Sequence, residues 1–170
     1  MHPLVKLAKD TVELYVREGK TLEVRSEELP PELKQRAGVF VCLKIKGNLR
    51  GCIGTFNPME PTIAHETVRN AISAATCDPR FNCLHEKELD TIEYTVDVLT
   101  LPEKVADKSE LDPRRYGVIV QADGRRGLLL PDLEGVDTVD YQISIAMQKA
   151  GIPPGADVEL FRFEVKRYEQ

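Results

Sequence analysis

Two residues with complementary chemistry lie close together in the run Leu49-Arg50-Gly51-Cys52-Ile53-Gly54-Thr55-Phe56. Because side chains alternate between the faces of a β-strand, we expect Arg50 and Cys52 on the same face. A neighbouring guanidinium favours the thiolate, which is the nucleophilic form of cysteine. Gly51 and Gly54 leave room for a ligand to approach the backbone. On spacing alone we favour a tightly packed hairpin in which Cys52 is a small buried hydrophobe. A reactive thiol beside Arg50 is the alternative that would carry chemistry.

A nucleophilic cysteine normally needs a base such as histidine within hydrogen-bonding distance. Of the 3 histidines, His65 follows the motif on a predicted helix and is the candidate to approach Cys52; the alternative is a solvent-exposed helix histidine. Cys77, Cys83 and His85 form the pattern C-x5-C-x-H. Structural zinc sites usually have tighter paired spacing and four ligands. We therefore predict no metal site and interpret these cysteines as thiols near a helix end.

Three arginines are candidates for binding an anion. Arg80 lies in Asp78-Pro79-Arg80-Phe81, where an aspartate before proline favours a turn. Its planar guanidinium either bridges internal carbonyls and carboxylates or binds an anionic ligand. Arg126 lies in a second predicted hairpin, and with Arg50 and Arg80 it would line one anion-accepting cleft. The alternative is that these arginines cover apolar surface with their aliphatic stems.

Several predicted elements position these residues. Apolar residues at helical spacing predict a helix over residues 3–18, which Gly19 ends. Residues 38–55 read as a β-hairpin with a tight turn at Lys46-Gly47-Asn48. A helix follows from Pro61 to about residue 76, and strict alternation predicts a strand over 91–100.

The second half repeats this order of signals. Gly117-Val118-Ile119-Val120 leads into Asp123-Gly124, a strong hairpin signal, and Gly127-Leu128-Leu129-Leu130-Pro131 is the predicted return strand. A helix over 138–150 and a strand over 158–165 complete the pattern. We interpret the recurrence as a structural duplication within one domain; chance recurrence of a common pattern is the alternative.

Composition narrows the function classes. The chain has 170 residues, 30% of them charged and 42% hydrophobic, which is ordinary for one globular domain. A net charge of −5, no basic run and no tryptophan disfavour nucleic acid as the partner. We recognise no signal peptide or membrane-spanning stretch. The 4 cysteines are therefore expected as reduced thiols in the cytoplasm.

Four motifs together resemble the AMMECR family, named for the candidate-gene product of the AMME contiguous deletion syndrome. Its bacterial and archaeal members are often called AmmeMemoRadiSam system protein A. The hallmark is Leu49-Arg50-Gly51-Cys52-Ile53-Gly54, and the resemblance extends from about Leu4 to Tyr168. The other motifs are Asp78-Pro79-Arg80-Phe81, Gly127-Leu128-Leu129-Leu130-Pro131 and Lys149-Ala150-Gly151-Ile152.

The resemblance implies an α+β fold with two hairpin–helix–strand repeats, about 37–100 and 116–167, sharing a barrel-like mixed β-sheet flanked by helices. It implies one family domain over residues 1–170. The bacterial name indicates a pathway shared with a Memo-like protein and a radical S-adenosylmethionine protein. The resemblance assigns no cofactor and no established catalytic residue. It marks only the motif positions as site candidates: Arg50, Gly51, Cys52, Gly54, Asp78, Arg80 and Phe81.

These observations give a leading functional hypothesis and two alternatives. The leading one is a cytoplasmic protein that binds or modifies a small anionic substrate at a cleft around the hallmark motif. Its candidate catalytic residue is Cys52, and its candidate substrate-binding residues are Arg50, Gly51, Gly54, Arg80 and Arg126. The main alternative is a non-catalytic protein–protein adaptor in which the motif is architectural. Nucleic-acid binding is a weaker alternative, and whether the chain is an enzyme stays open.

Overall fold

The computed structural model describes residues 1–170 and contains three α-helices and eight β-strands. The elements follow one another along the chain as α1 (Pro3–Glu18), β1 (Val39–Ile45), β2 (Asn48–Thr55), α2 (Ile63–Thr76), β3 (Ile92–Leu99), β4 (Glu103–Val105), β5 (Gly117–Ala122), β6 (Arg125–Leu129), α3 (Val139–Ala150), β7 (Glu159–Phe163) and β8 (Val165–Glu169). Four short 3-10 turns lie in three of the connections, two of them between α1 and β1. The chain divides into two compact units, Met1–Leu99 with Lys166–Gln170, and Thr100–Val165.

The first unit is built on a four-stranded sheet of order β2-β1-β3-β8. Alternate residues of β1 and β3 face the helices α1 and α2, because apolar side chains recur there with the period of two that a strand requires. The residues between them, such as Phe40 and Cys42, lie on the opposite face of the sheet. The buried core includes Leu4, Val5, Ala8, Val12, Val39, Val41, Leu43, Ala71, Ala74, Tyr94 and Val96.

Local sequence sets the ends of the helices in this unit. His2 accepts a hydrogen bond from the Leu4 amide at the start of α1, and Gly19 ends that helix with a φ of 67°. Thr62 caps α2 by accepting from the His65 amide at 3.2 Å. The predicted helices are confirmed, with ends close to those that the sequence signals indicated.

The second unit contains a four-stranded sheet of order β4-β7-β5-β6 packed against α3. The predicted turn at Asp123-Gly124 joins β5 to β6, and both residues have positive φ values of 49° and 75°. Thr138 caps α3, and Gly151 ends it. The core of this unit includes Val105, Leu111, Val118, Val120, Leu129, Val136, Ile143, Ala146 and Ile152.

The α+β class is confirmed, but the expectation of one shared barrel-like sheet is wrong. β3 pairs with β1 from Val39↔Val98 onward, and β7 pairs with β5 from Gly117↔Phe163 onward. The strands β3 and β7, which end the two predicted repeats, thus each pair with a strand of their own unit. Two separate antiparallel sheets form, and neither closes into a barrel. Both units follow the order hairpin, helix, strand. An internal duplication, like a single family domain over residues 1–170, stays a prediction.

Candidate functional site

The hallmark hairpin contains a β-bulge that sequence alternation did not predict. The turn pairs Ile45 with Asn48 and Lys44 with Leu49, but the next pair is Leu43 with Gly51. Arg50 is therefore an extra residue without a partner on β1. The one-residue shift brings Cys52 directly opposite Cys42, with Cα atoms 4.1 Å apart. The bulge thus decides both what Arg50 reaches and what Cys52 contacts.

Arg50 connects the hairpin to the segment that follows α2. Its Nε and Nη2 atoms donate to the two carboxylate oxygens of Glu88 at 2.9 and 3.1 Å. Nη1 donates to the carbonyl of Asn82 at 3.0 Å, and Nη2 also reaches the Cys83 carbonyl at 3.4 Å. Only 17% of the Arg50 side chain is exposed. Its donors are directed to the Glu88 carboxylate and to backbone carbonyls of the same chain.

Glu88 serves two partners at once. Besides pairing with Arg50, its carboxylate accepts from the His85 amide at 2.9 Å at the start of a 3-10 turn over Glu86–Thr91. The hydrogen bond from Arg50 is the main reason that the pKa of Glu88 is lowered from its usual value. Sequence reasoning missed Glu88 because it lies 38 residues from Arg50 and carries no motif of its own.

Asp78 and Arg80 form hydrogen bonds with the backbone of Cys52 on the unpaired edge of β2. The Asp78 carboxylate accepts from the Cys52 amide at 2.9 Å, and Arg80 Nη2 donates to the Cys52 carbonyl at 3.3 Å. Because β2 is an edge strand, these backbone groups would otherwise lack a protein partner. The turn motif therefore completes the hydrogen bonding of the hallmark strand.

The Asp78 carboxylate is almost fully buried, with 2% of its side chain exposed. It accepts from Arg80 Nε at 3.0 Å and from Arg80 Nη2 at 2.7 Å. The hydrogen bond from Arg80 is the main cause of a pKa for Asp78 well below the usual range of a carboxyl group, and burial opposes it. The buried carboxylate is therefore charged and paired, although 54% of the Arg80 side chain remains exposed.

Phe81 lies close to both motif arginines. The guanidinium carbons of Arg50 and Arg80 are 5.9 and 5.7 Å from the centre of its ring, within the range of cation–π contact. The two motifs therefore form one connected cluster, which we call the motif clamp. It consists of Arg50, Cys52, Asp78, Arg80, Phe81 and Glu88.

The two motif glycines are sites of close packing. A Cβ atom on Gly51 would lie 2.2 Å from the carbonyl oxygen of Ala74 in α2, and one on Gly54 would lie 2.1 Å from the ring of Phe40. The open backbone that suggested ligand access is thus filled by the protein itself. Gly127 occupies a similar position in the second unit, where a Cβ would lie 1.9 Å from the Ala146 carbonyl oxygen.

The expectation that all cysteines are reduced thiols is wrong for two of them. Cys42 and Cys52 form a disulfide across the hairpin, so neither sulfur is a free nucleophile in this state. Alternation of residues along the hairpin does not reveal that Cys42 lies opposite Cys52, because that pairing depends on the bulge. Cys77 and Cys83 are free and exposed. Cys83 donates from Sγ to the Thr76 carbonyl at 3.3 Å, at the end of α2.

His65 and Arg126, the other predicted site residues, each contact a residue of their own compact unit. His65 Nδ1 is 2.7 Å from the Thr62 hydroxyl at the start of α2, which ties its ring to the helix cap. Arg126 lies on β6 of the second unit, with its guanidinium 5.7 Å from the centre of the Phe161 ring. A cleft that Arg126 shares with Arg50 and Arg80 stays a prediction. The structure contains no cluster of three or more metal-ligating side chains.

Glu66 is a buried carboxylate that the sequence did not single out. It is fully buried on α2 and accepts from the Met59 and Glu60 amides at 2.8 and 2.7 Å, and from the Thr55 hydroxyl. These bonds fix the loop that follows the hallmark strand. The only sequence signal was a charged residue within the apolar stripe of a predicted helix.

A family model described as AMMECR1 matches residues 5–169, nearly the whole chain. The chain belongs to the AMMECR1 family. The resemblance drawn from its four motifs is therefore confirmed. None of its helices is both long and apolar enough to cross a membrane.

Relatives of this AMMECR1-family chain carry names that assign no activity. A protein of Thermotoga maritima is 57% identical over 171 residues, covering 99% of this chain and 98% of the relative. A Clostridium acetobutylicum protein, CA_C1420, is 45% identical over 99% of the chain, but the chain spans only 36% of that relative's length. The crystal structure of the uncharacterized protein PH0010 from Pyrococcus horikoshii superposes with a TM-score of 0.87 at 34% identity, covering 98% of this chain and 89% of that one.

The second unit of the AMMECR1-family chain also has an apolar groove beside α3. Its cavity volume is about 770 Å³. The groove is lined by residues of α3 and of the Pro153-Pro154-Gly155 segment that follows it. Its apolar lining comes from Ile143, Met147, Ile152, Pro153 and Pro154.

The paired carboxylates of the clamp predict a specific pH dependence of stability. Asp78→Asn should lower the free energy of unfolding at pH 7 by about 2–4 kcal/mol, because it removes charge-assisted hydrogen bonds from a buried site. The pKa of Asp78 is lowered on folding, so its stabilisation is full above the unfolded value of about 3.9 and is lost as pH falls through the folded value. Urea unfolding from pH 7 down to pH 2 should show the difference between wild type and Asp78→Asn shrinking below about pH 4. A constant difference would contradict this assignment.

Proposed function

We propose that this chain is a non-catalytic binding module for another protein, with the hallmark motif as its scaffold. The observation that carries the proposal is the internal pairing of the motif charges, Arg50 with Glu88 and Arg80 with Asp78. A site built to receive an anion keeps donors directed toward the ligand, whereas Arg50 directs its donors to the carboxylate and carbonyls of its own chain. While the Cys42–Cys52 bond is closed, Cys52 has no thiolate with which to act as a nucleophile.

Two further observations support a binding role. The chain spans about a third of the Clostridium acetobutylicum relative, so the same fold also occurs as one part of a longer protein. The α3 groove offers an apolar surface of the kind that commonly receives a partner side chain. The family resemblance suggests the partners to try first, a Memo-like protein and a radical S-adenosylmethionine protein.

The adaptor proposal is tested by direct binding between purified proteins. Isothermal titration of the chain with a Memo-like protein, and separately with a radical S-adenosylmethionine protein from the same source, should give saturable binding for at least one of them. Met147→Glu in the α3 groove should weaken that binding about tenfold or more, the usual result of placing a charge at an apolar contact. Leu101→Glu is the matched control, since Leu101 is 81% exposed and lies outside the groove.

The possible results test separately whether the chain binds these proteins and whether it binds them through the α3 groove. No binding to either protein at tens of micromolar concentrations would contradict the adaptor role with these partners. Binding that Met147→Glu and Leu101→Glu leave equally unchanged would move the interface away from the α3 groove.

Binding of a small anion is the second candidate, and the exposure of Arg80 favours it. More than half of that side chain is exposed although it pairs with Asp78. Inorganic phosphate should then shift the amide resonances around Arg80 in nuclear magnetic resonance spectra, and Arg80→Ala should abolish the shifts while the chain stays folded. Polynucleotide binding, the weakest candidate, would instead appear as affinity that falls steeply with salt.

A further inference from the structure

The disulfide between Cys42 and Cys52 lies outside the core of the first unit. Both cysteines are partly exposed, and neither belongs to the buried cluster formed by Val39, Val41 and Leu43 on the helix-covered face. Cys42 pairs with Thr95 of β3 on its other side, so its neighbours on this face include a small polar side chain. Partly exposed disulfides are the ones that reductants reach and exchange most readily.

The disulfide closes only a short loop, so its contribution to the stability of the fold is expected to be small. It joins residues only 10 apart in sequence that the hairpin already holds opposite each other. A cross-link stabilises chiefly by restricting the unfolded chain, and the effect is smallest for short loops. The bulge at Arg50 is what aligns the two cysteines, since an unbroken register would have placed Gly51 opposite Cys42. The pairing of the sulfurs therefore follows from a specific local feature of the strand.

The motif clamp holds Cys52 in place without the disulfide. Its amide donates to Asp78 and its carbonyl accepts from Arg80, on the edge of the strand that faces away from Cys42. These bonds involve only the backbone of Cys52, so breaking the disulfide leaves them intact. The Arg80 guanidinium at this residue favours a thiolate and the Asp78 carboxylate opposes it, so the ion pair supplies little net charge. The cysteines are ready to form a disulfide because the strand register holds them opposite each other, and the proposal needs no lowered thiol pKa.

We propose that Cys42 and Cys52 form an exchangeable site that reacts with a low-molecular-weight thiol of the glutathione class. In the first step the thiolate of the small molecule attacks one sulfur, the Cys42–Cys52 bond breaks, and the other cysteine leaves as a thiolate. A second small thiolate attacks the mixed disulfide and releases the remaining cysteine. Two protein thiols and one small-molecule disulfide result, so the protein gains the two electrons that the small thiols lose. The reverse sequence restores the bond, and none of it depends on the proposed adaptor role.

Thiol counting on the native protein tests this site. The folded chain is equilibrated in buffers of reduced and oxidised glutathione at varied ratio, quenched with acid, alkylated and weighed by mass spectrometry. In oxidising buffer we expect Cys42 and Cys52 to stay unlabelled and joined, while the exposed Cys77 and Cys83 are either labelled or carry glutathione, which its added mass identifies. In reducing buffer all four cysteines should be labelled, with the far-ultraviolet circular dichroism unchanged. Returning the protein to oxidising buffer should close the Cys42–Cys52 bond again.

Cysteine variants show whether the change in labelling comes from Cys42 and Cys52. The double variant Cys77→Ser with Cys83→Ser should change from zero to two labels over the same range of glutathione ratios. Cys52→Ser should trap glutathione on Cys42 as a mixed disulfide, seen as a glutathione adduct in the mass spectrum. The proposal is overturned if the disulfide opens only as urea unfolds the chain, which would make it a structural staple. It is equally overturned if all four cysteines are labelled in every buffer, because the pair would then never close.

Discussion

Replacing Arg50 with alanine should destabilise the protein by about 3 kcal/mol, because it removes the charged partner of Glu88 and the hydrogen bonds to the carbonyls of Asn82 and Cys83. For a chain of this size that corresponds to a decrease of roughly 6–12 °C in the unfolding midpoint. Calorimetry and circular dichroism measure the midpoint directly. Arg50→Lys should recover only part of the loss, since an ammonium cannot bind a carboxylate through two parallel hydrogen bonds.

Arg25→Ala is the matched control for this experiment. Arg25 pairs with Glu28 at 3.4 Å, but the two side chains are 70% and 71% exposed. Removing such a surface pair changes stability by no more than about 0.5–1 kcal/mol. If Arg50→Ala behaved like Arg25→Ala, the hallmark arginine would have no architectural role, and an anion site at Arg50 would regain its support.

Gly51→Ala should be at least as damaging, with a loss of about 3 kcal/mol or more. The added Cβ would lie 2.2 Å from the backbone oxygen of Ala74, and no side-chain rotation relieves a clash with backbone. Either α2 or the hairpin must move, and both carry parts of the buried core. Chemical denaturation of the variant measures the loss.

Gly19→Ala separates this steric effect from a general cost of losing glycine. Gly19 has a φ of 67°, and a Cβ added there would meet nothing within 4 Å, so its replacement costs only the strain of a left-handed residue, about 1–2 kcal/mol. Gly51→Ala should therefore lose more stability than Gly19→Ala. The reverse order would mean that α2 does not pack closely on the hallmark strand.

The sequence predicted the elements of this fold better than their assembly. Periods of 3.6 and 2 residues identify α1, β1 and β3, and the glycine in each tight turn identifies both hairpins. Which strands share a sheet depends on pairing between residues far apart in the chain, such as Gly117 with Phe163. That information lies in packing and not in local periodicity, so the predicted single sheet proved to be two.

The sequence identified most residues of the candidate site but did not predict the contacts between them. Motif spacing singled out Arg50, Cys52, Asp78 and Arg80, and the structure brings them together in the clamp. One inserted residue then changes the chemistry, because the bulge at Arg50 sends its side chain to Glu88 and sets Cys52 opposite Cys42. A bulge has no strong sequence signal, so neither the ion pair nor the disulfide follows from alternation.

A double-mutant cycle between Arg50 and Glu88 tests most directly whether the hallmark motif is a scaffold. The free energies of unfolding of wild type, Arg50→Ala, Glu88→Ala and the double variant give the coupling between the two side chains without the effects that each substitution has on its own. The bidentate, largely buried pair predicts a coupling of about 1.5–3 kcal/mol, with the double variant little less stable than either single variant. A coupling near zero, with the two losses simply adding, would contradict the scaffold role and leave Arg50 free to serve a ligand.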